Sequence, residues 1–268
     1  MRINTNINSM RTQEYMRQNQ EKMNTAMNRL SSGKRINSAA DDAAGLAIAT
    51  RMRAQESGLN VASRNTQDGI SLIQTADSAL GTVSNILHRM RDLAVQSANG
   101  SNGETDRDAL DGEYQQLITQ IGYIADNTEF NGTNLLKADT TISIKSTDKS
   151  KASTIDIETK AVDGSGLGSI TGTDGTTADE AIETIDTMID AIAGNRATLG
   201  ATLNRLQYNA ENLNNQSTAM SSSASQIEDA DMAKEMSEMT KFKILNEAGI
   251  SMLSQANQTP QMVSKLLQ

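Results

Sequence analysis

In a chain of 268 residues, a formal net charge of -9 argues against the clustered basic surface that nucleic acid or an anionic membrane demands, and a single His excludes a multi-histidine metal centre. The absence of Cys removes disulfides, thiolate metal sites and thiol nucleophiles together. With 37% hydrophobic residues, 2% aromatics, no Trp and one Pro, the composition suits long helices better than a compact catalytic core.

The first ten residues, MRINTNINSM, contain no apolar core of a cleaved secretory signal, and nowhere does the sequence reach the ~18 consecutive apolar residues of a membrane span. An exported protein of this kind needs a dedicated machine to recognise it. Ile3, Ile7 and Met10, followed by Met16, Met23, Met27 and Leu30, predict an amphipathic helix at the amino end. Residues 31–44, with Gly33 and many small or charged side chains, interrupt it as a connection or loop.

Apolar residues then recur with alternating spacings of three and four. Ile73, Ala76, Leu80, Val83, Leu87, Met90 and Ala94 form one stripe, and Leu110, Tyr114, Leu117, Ile121 and Ile124 form the next. Asn99-Gly100-Ser101-Asn102-Gly103 between them is a turn cluster, so an antiparallel helical hairpin is expected. The pattern stops at residues 127–132. Ile142 and Ile144, then Ile155 and Ile157, alternate with polar residues and predict two short strands. Residues 160–179, dense in Gly, Thr, Ser and Asp, are expected to be exposed loops.

The longest stripe runs through Ile182, Ile185, Ile189, Ile192, Arg196, Leu199, Leu203, Leu206, Ala210 and Leu213, with Arg196 its only charged member. Met232, Met236, Met239, Ile250, Leu253, Val263 and Leu266 repeat the signal more weakly at the carboxyl end. Methionine is flexible and polarizable, so the terminal stripes suit either packing within the chain or packing that forms on assembly. The expected fold is mainly α, with long antiparallel heptad helices in a rod-like coiled-coil bundle and a small β-hairpin or loop insert in the middle.

Little enzymatic chemistry is visible. His88 has no neighbouring nucleophile or metal-ligand pattern and is expected on a helix surface. Gly164, Gly166 and Gly168 lack the preceding strand and following helix of a phosphate-binding loop. No catalytic, cofactor or metal site is expected.

Asn28-Arg29-Leu30-Ser31-Ser32-Gly33-Lys34-Arg35-Ile36-Asn37, followed by Asp41-Asp42-Ala43-Ala44-Gly45-Leu46-Ala47-Ile48, closely resembles the amino-terminal signature of bacterial flagellins. The resemblance extends over residues 65–76, 89–96 and 129–132, and returns at Asp229-Ala230-Asp231-Met232-Ala233-Lys234-Glu235 and Gln255-Ala256-Asn257-Gln258. The middle of the chain carries no comparable motif.

That resemblance implies a non-enzymatic subunit of the flagellar filament. Residues 1–40 and 226–268 would pair as an inner core. Residues 41–225 would form the helical outer core, with 138–178 as an insert of variable type. Assembly contacts would fall on Ile3, Ile7, Met10, Met23, Met27, Leu30, Met232, Met236, Met239, Ile250, Leu253 and Leu266. Gly33, Arg35, Asp41 and Asp42 would lie in the connection between layers, and Arg29, Lys34, Arg35, Asp41 and Asp42 are candidates for ion pairs across subunits. Arg89, Leu93, Gln96 and Glu113 match the surface recognised by the host flagellin-sensing Toll-like receptor and used in protofilament packing. Thr171, Thr173 and Thr176 are candidate O-glycosylation sites.

Further implied partners are other copies of the chain, a flagellar export chaperone, the filament cap and the hook-junction proteins. Implied localisation is extracellular, after export by the flagellar type III apparatus without a cleaved signal peptide. A hook-filament junction protein shares this plan, with less complete signatures at 41–48 and 229–235. A signalling coiled coil would carry a membrane tether, and the zinc peptidase found in some flagellins would require His in the insert, where there is none.

Overall fold

The computed structural model describes residues 6–147, 154–164, 166–171 and 176–266, with side chains described in these ranges except at 176 and 259–266. Ile3 and Thr173, and the side chains of Thr176 and Leu266, lie outside the described residues. In chain order the elements are α1 (Ile7–Ser32), α2 (Ala43–Ser97), α3 (Glu104–Asn127), β1 (Glu129–Phe130), β2 (Thr133–Asn134), β3 (Thr140–Lys145), β4 (Thr154–Thr159), α4 (Thr176–Glu228) and α5 (Met232–Leu266). The fold is mainly α with a small β insert, as the sequence pattern indicates.

Two compact units make up the chain, one from Met1–Gln55 with Thr218–Gln268 and the other from Glu56–Ser217. These divisions fall inside α2 and α4.

The 56–217 unit holds a continuous apolar core. Every member of the Ile73-to-Ala94 stripe is buried, none more than 1% exposed. Ile185, Ile192, Leu199 and Leu206 of α4 and Tyr114 and Ile121 of α3 complete the same cluster. Removing such stripes from water is the main stabilisation available to helices of this length. Arg91 meets Asp186 at 2.7 Å and Arg196 meets Asp77 at 2.7 Å, which orders α2 and α4 antiparallel and explains a charged residue within a heptad. Asn99 and Asn102 close the turn between α2 and α3, and the Asp106 carboxylate accepts the Gly103 N–H at 3.1 Å at the start of α3.

Two antiparallel hairpins follow. In the first, Phe130 pairs with Thr133 across Asn131 and Gly132, whose φ angles of 51° and 77° suit the two-residue turn that Asn-Gly favours. The second pairs β3 with β4, placing Ile142 opposite Ile157 and Ile144 opposite Ile155, the four isoleucines of the alternating pattern. The Asn65 side chain donates to Lys145 O at 3.3 Å, and Asn209 donates to Ser146 O at 3.2 Å. Gly69 lets this hairpin approach closely, since a Cβ there would lie 3.0 Å from Ile144 Cγ1.

The segment after β4 departs from expectation. Val162, Leu167 and Ile170 are buried rather than exposed, and Val162 N–H donates to Leu136 O at 2.9 Å. Ser97 Oγ donates to Ile170 O and Ile170 N–H donates to Asp111 Oδ1, both at 2.9 Å. Three apolar side chains spaced among polar residues suffice to fasten a loop when its backbone groups find partners. Helix α4 also begins earlier than its heptads, with Ala178 and Ala181 already buried.

Candidate assembly surface

The unit formed by 1–55 and 218–268 is built on the antiparallel pair α1 and α5. Asn6 caps α1, accepting the Ser9 N–H through Oδ1 at 3.2 Å while its Nδ2 donates to Ala256 O at 2.8 Å. Further along, Asn246 Nδ2 donates to Gln20 Oε1 at 2.7 Å, and Arg29 meets Glu235 at 3.4 Å. Gly249 lets the two helices approach closely, since a Cβ there would fall 2.8 Å from Met16 Cγ.

Burial shows which stripe is used within the chain. On α1 it passes through Thr12, Met16, Asn19, Met23, Ala26 and Leu30; on α5 it passes through Glu235, Met239, Phe242, Asn246, Gly249, Leu253 and Ala256. Both keep the three-four alternation of a coiled coil. Sequence reasoning missed this seam because Thr, Asn, Glu and Gly interrupt its apolar character. Of the twelve anticipated assembly residues, Met23, Leu30, Met239 and Leu253 sit half-buried on it. Ile7, Met10, Met27, Met232, Met236 and Ile250 are exposed, joined by Ile244, Leu245 and Met252. The apolar residues buried in this unit, among those described, are Ala26, Ile36, Ala49 and Ala224.

The 33–42 connection is held by local polar chemistry. Gly33 ends α1 at φ 72°, donating its N–H to Arg29 O at 2.8 Å, and its carbonyl accepts the Ala230 N–H at 2.9 Å. Arg35 N–H donates to Glu228 O at 2.6 Å, and its guanidinium to Ile227 O at 2.7 Å. Asp41 accepts the Ser38 hydroxyl and the Ser38 and Asn37 N–H groups, Ser38 contributing most to holding its carboxyl below the ordinary value. Asp42 accepts the Gly45 N–H at 2.9 Å at the start of α2. These groups already have partners inside the chain: Asp41 and Asp42 shape a turn and a helix start, while Lys34 meets Glu228 at 2.6 Å.

Glu228 is the centre that sequence reasoning missed. Its carboxylate, 8% exposed, meets Lys34 at 2.6 Å through Oε1 and Arg53 at 2.7 Å through Oε2. The Lys34 hydrogen bond, then that of Arg53, holds its pKa below the ordinary 4.5 against the opposing effect of desolvation. Asp231 likewise caps α5, accepting from Ala233 and Lys234 N–H. An Asp or Glu opening or closing a helix is visible in sequence, but its distant cationic partner is not.

In the 56–217 unit, Arg89 and Glu113 form an exposed ion pair at 2.7 Å between α2 and α3. Gln96, two turns further along α2, is also exposed, whereas Leu93 is 1% exposed and belongs to the core. His88 is exposed. Thr171 is exposed, with its hydroxyl 2.8 Å from that of Ser169.

A helical protein whose terminal helices pair through a thin seam and present apolar side chains outward belongs to the class of structural subunits built for association. The profile described as "Bacterial flagellin N-terminal helical region" matches residues 3–141, and that described as "Bacterial flagellin C-terminal helical region" matches residues 182–267. The chain is 50% identical to the flagellin of Listeria innocua over 286 residues, covering 100% of this chain and 99% of that protein. It is 38% identical to the "Flagellar filament 33 kDa core protein" of Treponema phagedenis, with 100% of both chains covered. The crystal structure of Bacillus cereus flagellin is 44% identical over 56% of this chain and 88% of that chain, with a TM-score of 0.49. The two profile matches and the full-length identities show that the chain belongs to the bacterial flagellin family of flagellar filament subunits.

Proposed function

We propose that this chain polymerises through α1 and α5, whose outward apolar side chains become buried against other copies at the growing end of the filament. The observation carrying this reading is the contrast between a terminal unit with three alanines and one isoleucine as its described buried apolar residues and the nine large aliphatic and thioether side chains its two helices expose. So small a core offsets little of the ordering entropy of two helices, whereas burial between subunits adds ~1.5–3 kcal/mol for each large side chain fully covered. A filament requires such contacts to be heterologous, so that repetition never closes into a ring.

The same weakness suits export. Terminal helices that order fully only on assembly can pass unfolded through a narrow channel, and in this reading the flagellar type III apparatus, with a chaperone, carries out that step. Cap and hook-junction proteins would receive the chain at the tip, and Arg89, Gln96 and Glu113 would form the exposed part of the receptor-facing surface. Among the described residues no helix is long and apolar enough to cross a membrane.

Seeded growth tests the proposal. Short filament fragments are supplied with the full chain, with a chain ending at residue 231, and with the double variant Met10→Glu, Ile250→Glu, and elongation is followed by negative-stain electron microscopy. Long filaments from the full chain alone are expected. Equal elongation by the double variant, with its helicity verified by circular dichroism, would overturn the assignment of these stripes.

A further inference from the structure

Twelve of the fourteen methionines lie in the unit formed by residues 1–55 and 218–268, leaving only Met90 and Met188 in the other. Met10, Met27, Met232, Met236 and Met252 are exposed, the first at 62% and the last at 67%, while Met90 is fully buried. The chain has neither Cys nor Trp, so peroxide meets no thiol or indole and the accessible thioethers are its principal targets.

We propose that these five exposed methionines make the assembly surface a peroxide-sensitive modification site, so that oxidation of the free subunit blocks its incorporation while incorporation shields the same sulfurs. This inference rests on the proposed polymerisation through α1 and α5. In the reaction a sulfur lone pair attacks one oxygen of hydrogen peroxide and the O–O bond breaks. The departing hydroxide takes the remaining proton to leave as water. The thioether is oxidised by two electrons to a sulfoxide, and the peroxide is reduced by two.

The consequence follows from polarity. A thioether docks as an adaptable apolar group, whereas a sulfoxide carries a strong hydrogen-bond acceptor that an apolar contact leaves unsatisfied. Two of the five sites lie on α1 and three on α5, so both terminal helices carry such groups. Unlike a broken chain, a sulfoxide is reversible by methionine sulfoxide reductases, so the block is a switch rather than damage.

The test uses the full chain. Monomer and preformed filaments receive the same hydrogen peroxide dose, sulfoxide occupancy is mapped by peptide mass spectrometry, and seeded elongation of each monomer sample is measured. Treated monomer is expected to carry sulfoxide at the five positions and not at Met90, and to elongate at least about tenfold more slowly, because each docking event would bury an unpaired oxygen. Filaments should be oxidised severalfold less at these positions. Treatment with both sulfoxide reductases should restore growth.

Replacing all five by Leu, a nearly volume-conserving change, should give a chain that elongates equally with and without peroxide. Undiminished growth of fully oxidised monomer, or equal oxidation in monomer and filament, would overturn the proposal. If untreated monomer fails to elongate at all, the underlying assembly assignment falls instead. If the Leu variant does not elongate when untreated, reductase rescue of the oxidised natural chain decides: recovery supports the switch, and its absence overturns it.

Discussion

Replacing Glu228 by Ala removes a carboxylate that is 8% exposed and leaves Lys34 and Arg53, 41% and 46% exposed, without it. Both cations can regain water, so the loss falls short of stranding a buried charge. Two charge-assisted hydrogen bonds at the low end of their range, about 1.5 kcal/mol each, give an expected destabilisation of ~2–3 kcal/mol in the 1–55/218–268 unit. Glu228→Gln, which keeps the shape and one hydrogen-bonding oxygen, should lose about 1 kcal/mol. Hydrogen exchange followed by mass spectrometry reads this locally, through protection of peptides spanning residues 26–36 and 224–235, whereas a global melt averages over both units.

The same variant supplies a pH signature. The folded pKa of Glu228 is depressed below its ordinary value of 4.5. Its contribution is therefore complete above about pH 4.5 and is lost as pH falls through the lower folded value. The difference in protection between natural chain and Glu228→Gln should be steady at neutral pH and shrink toward zero in acid. Unchanged protection in Glu228→Ala, or a difference that grows as pH falls, would refute the account of this carboxylate as the tie between the end of α4, the segment after α1, and α2.

Gly33→Ala should lower stability of the same unit by about 1–2 kcal/mol, because its φ of 72° is left-handed, and circular dichroism against urea should register the shift. Leu87→Ala, at a position with no exposure in the 56–217 core, should destabilise that unit by ~2–5 kcal/mol in denaturant unfolding. Gly69→Val should push Ile144 away, since even a Cβ would lie 3.0 Å from its Cγ1, and hydrogen exchange should show β3 and β4 losing protection before the flanking helices.

Heptads made of large aliphatic residues were legible in the sequence because burial leaves few other choices. Ile185, Ile192, Leu199, Leu206 and Leu213 are all buried as their spacing requires, and the alternating isoleucines at 142, 144, 155 and 157 pair in one hairpin. The α1/α5 seam was hidden because its close approach at Gly249 and Ala26 depends on small residues, which carry little hydropathy. Asn131-Gly132 held a readable turn signal, but strands of two residues leave no alternation around it. Leu93 could not be separated from Arg89 and Gln96 by spacing alone, because one step of a helix decides between a surface and a core. The ion pairs at Glu228 lie beyond any local pattern, since their partners are 175 and 194 residues away.

The hairpin of β3 and β4 has a practical consequence. Lys145 and Thr154 pair in register, and Asn65 and Asn209 grip the backbone as it leaves β3, so the chain departs and returns through two anchored gateposts. A flexible guest peptide inserted between these strands would cost the helices beneath little, since each doubling of such an insert's length adds only about 0.6 kcal/mol of closure entropy. Guest peptides could be spliced into this gateway and displayed in many copies, with the scaffold indifferent to their content.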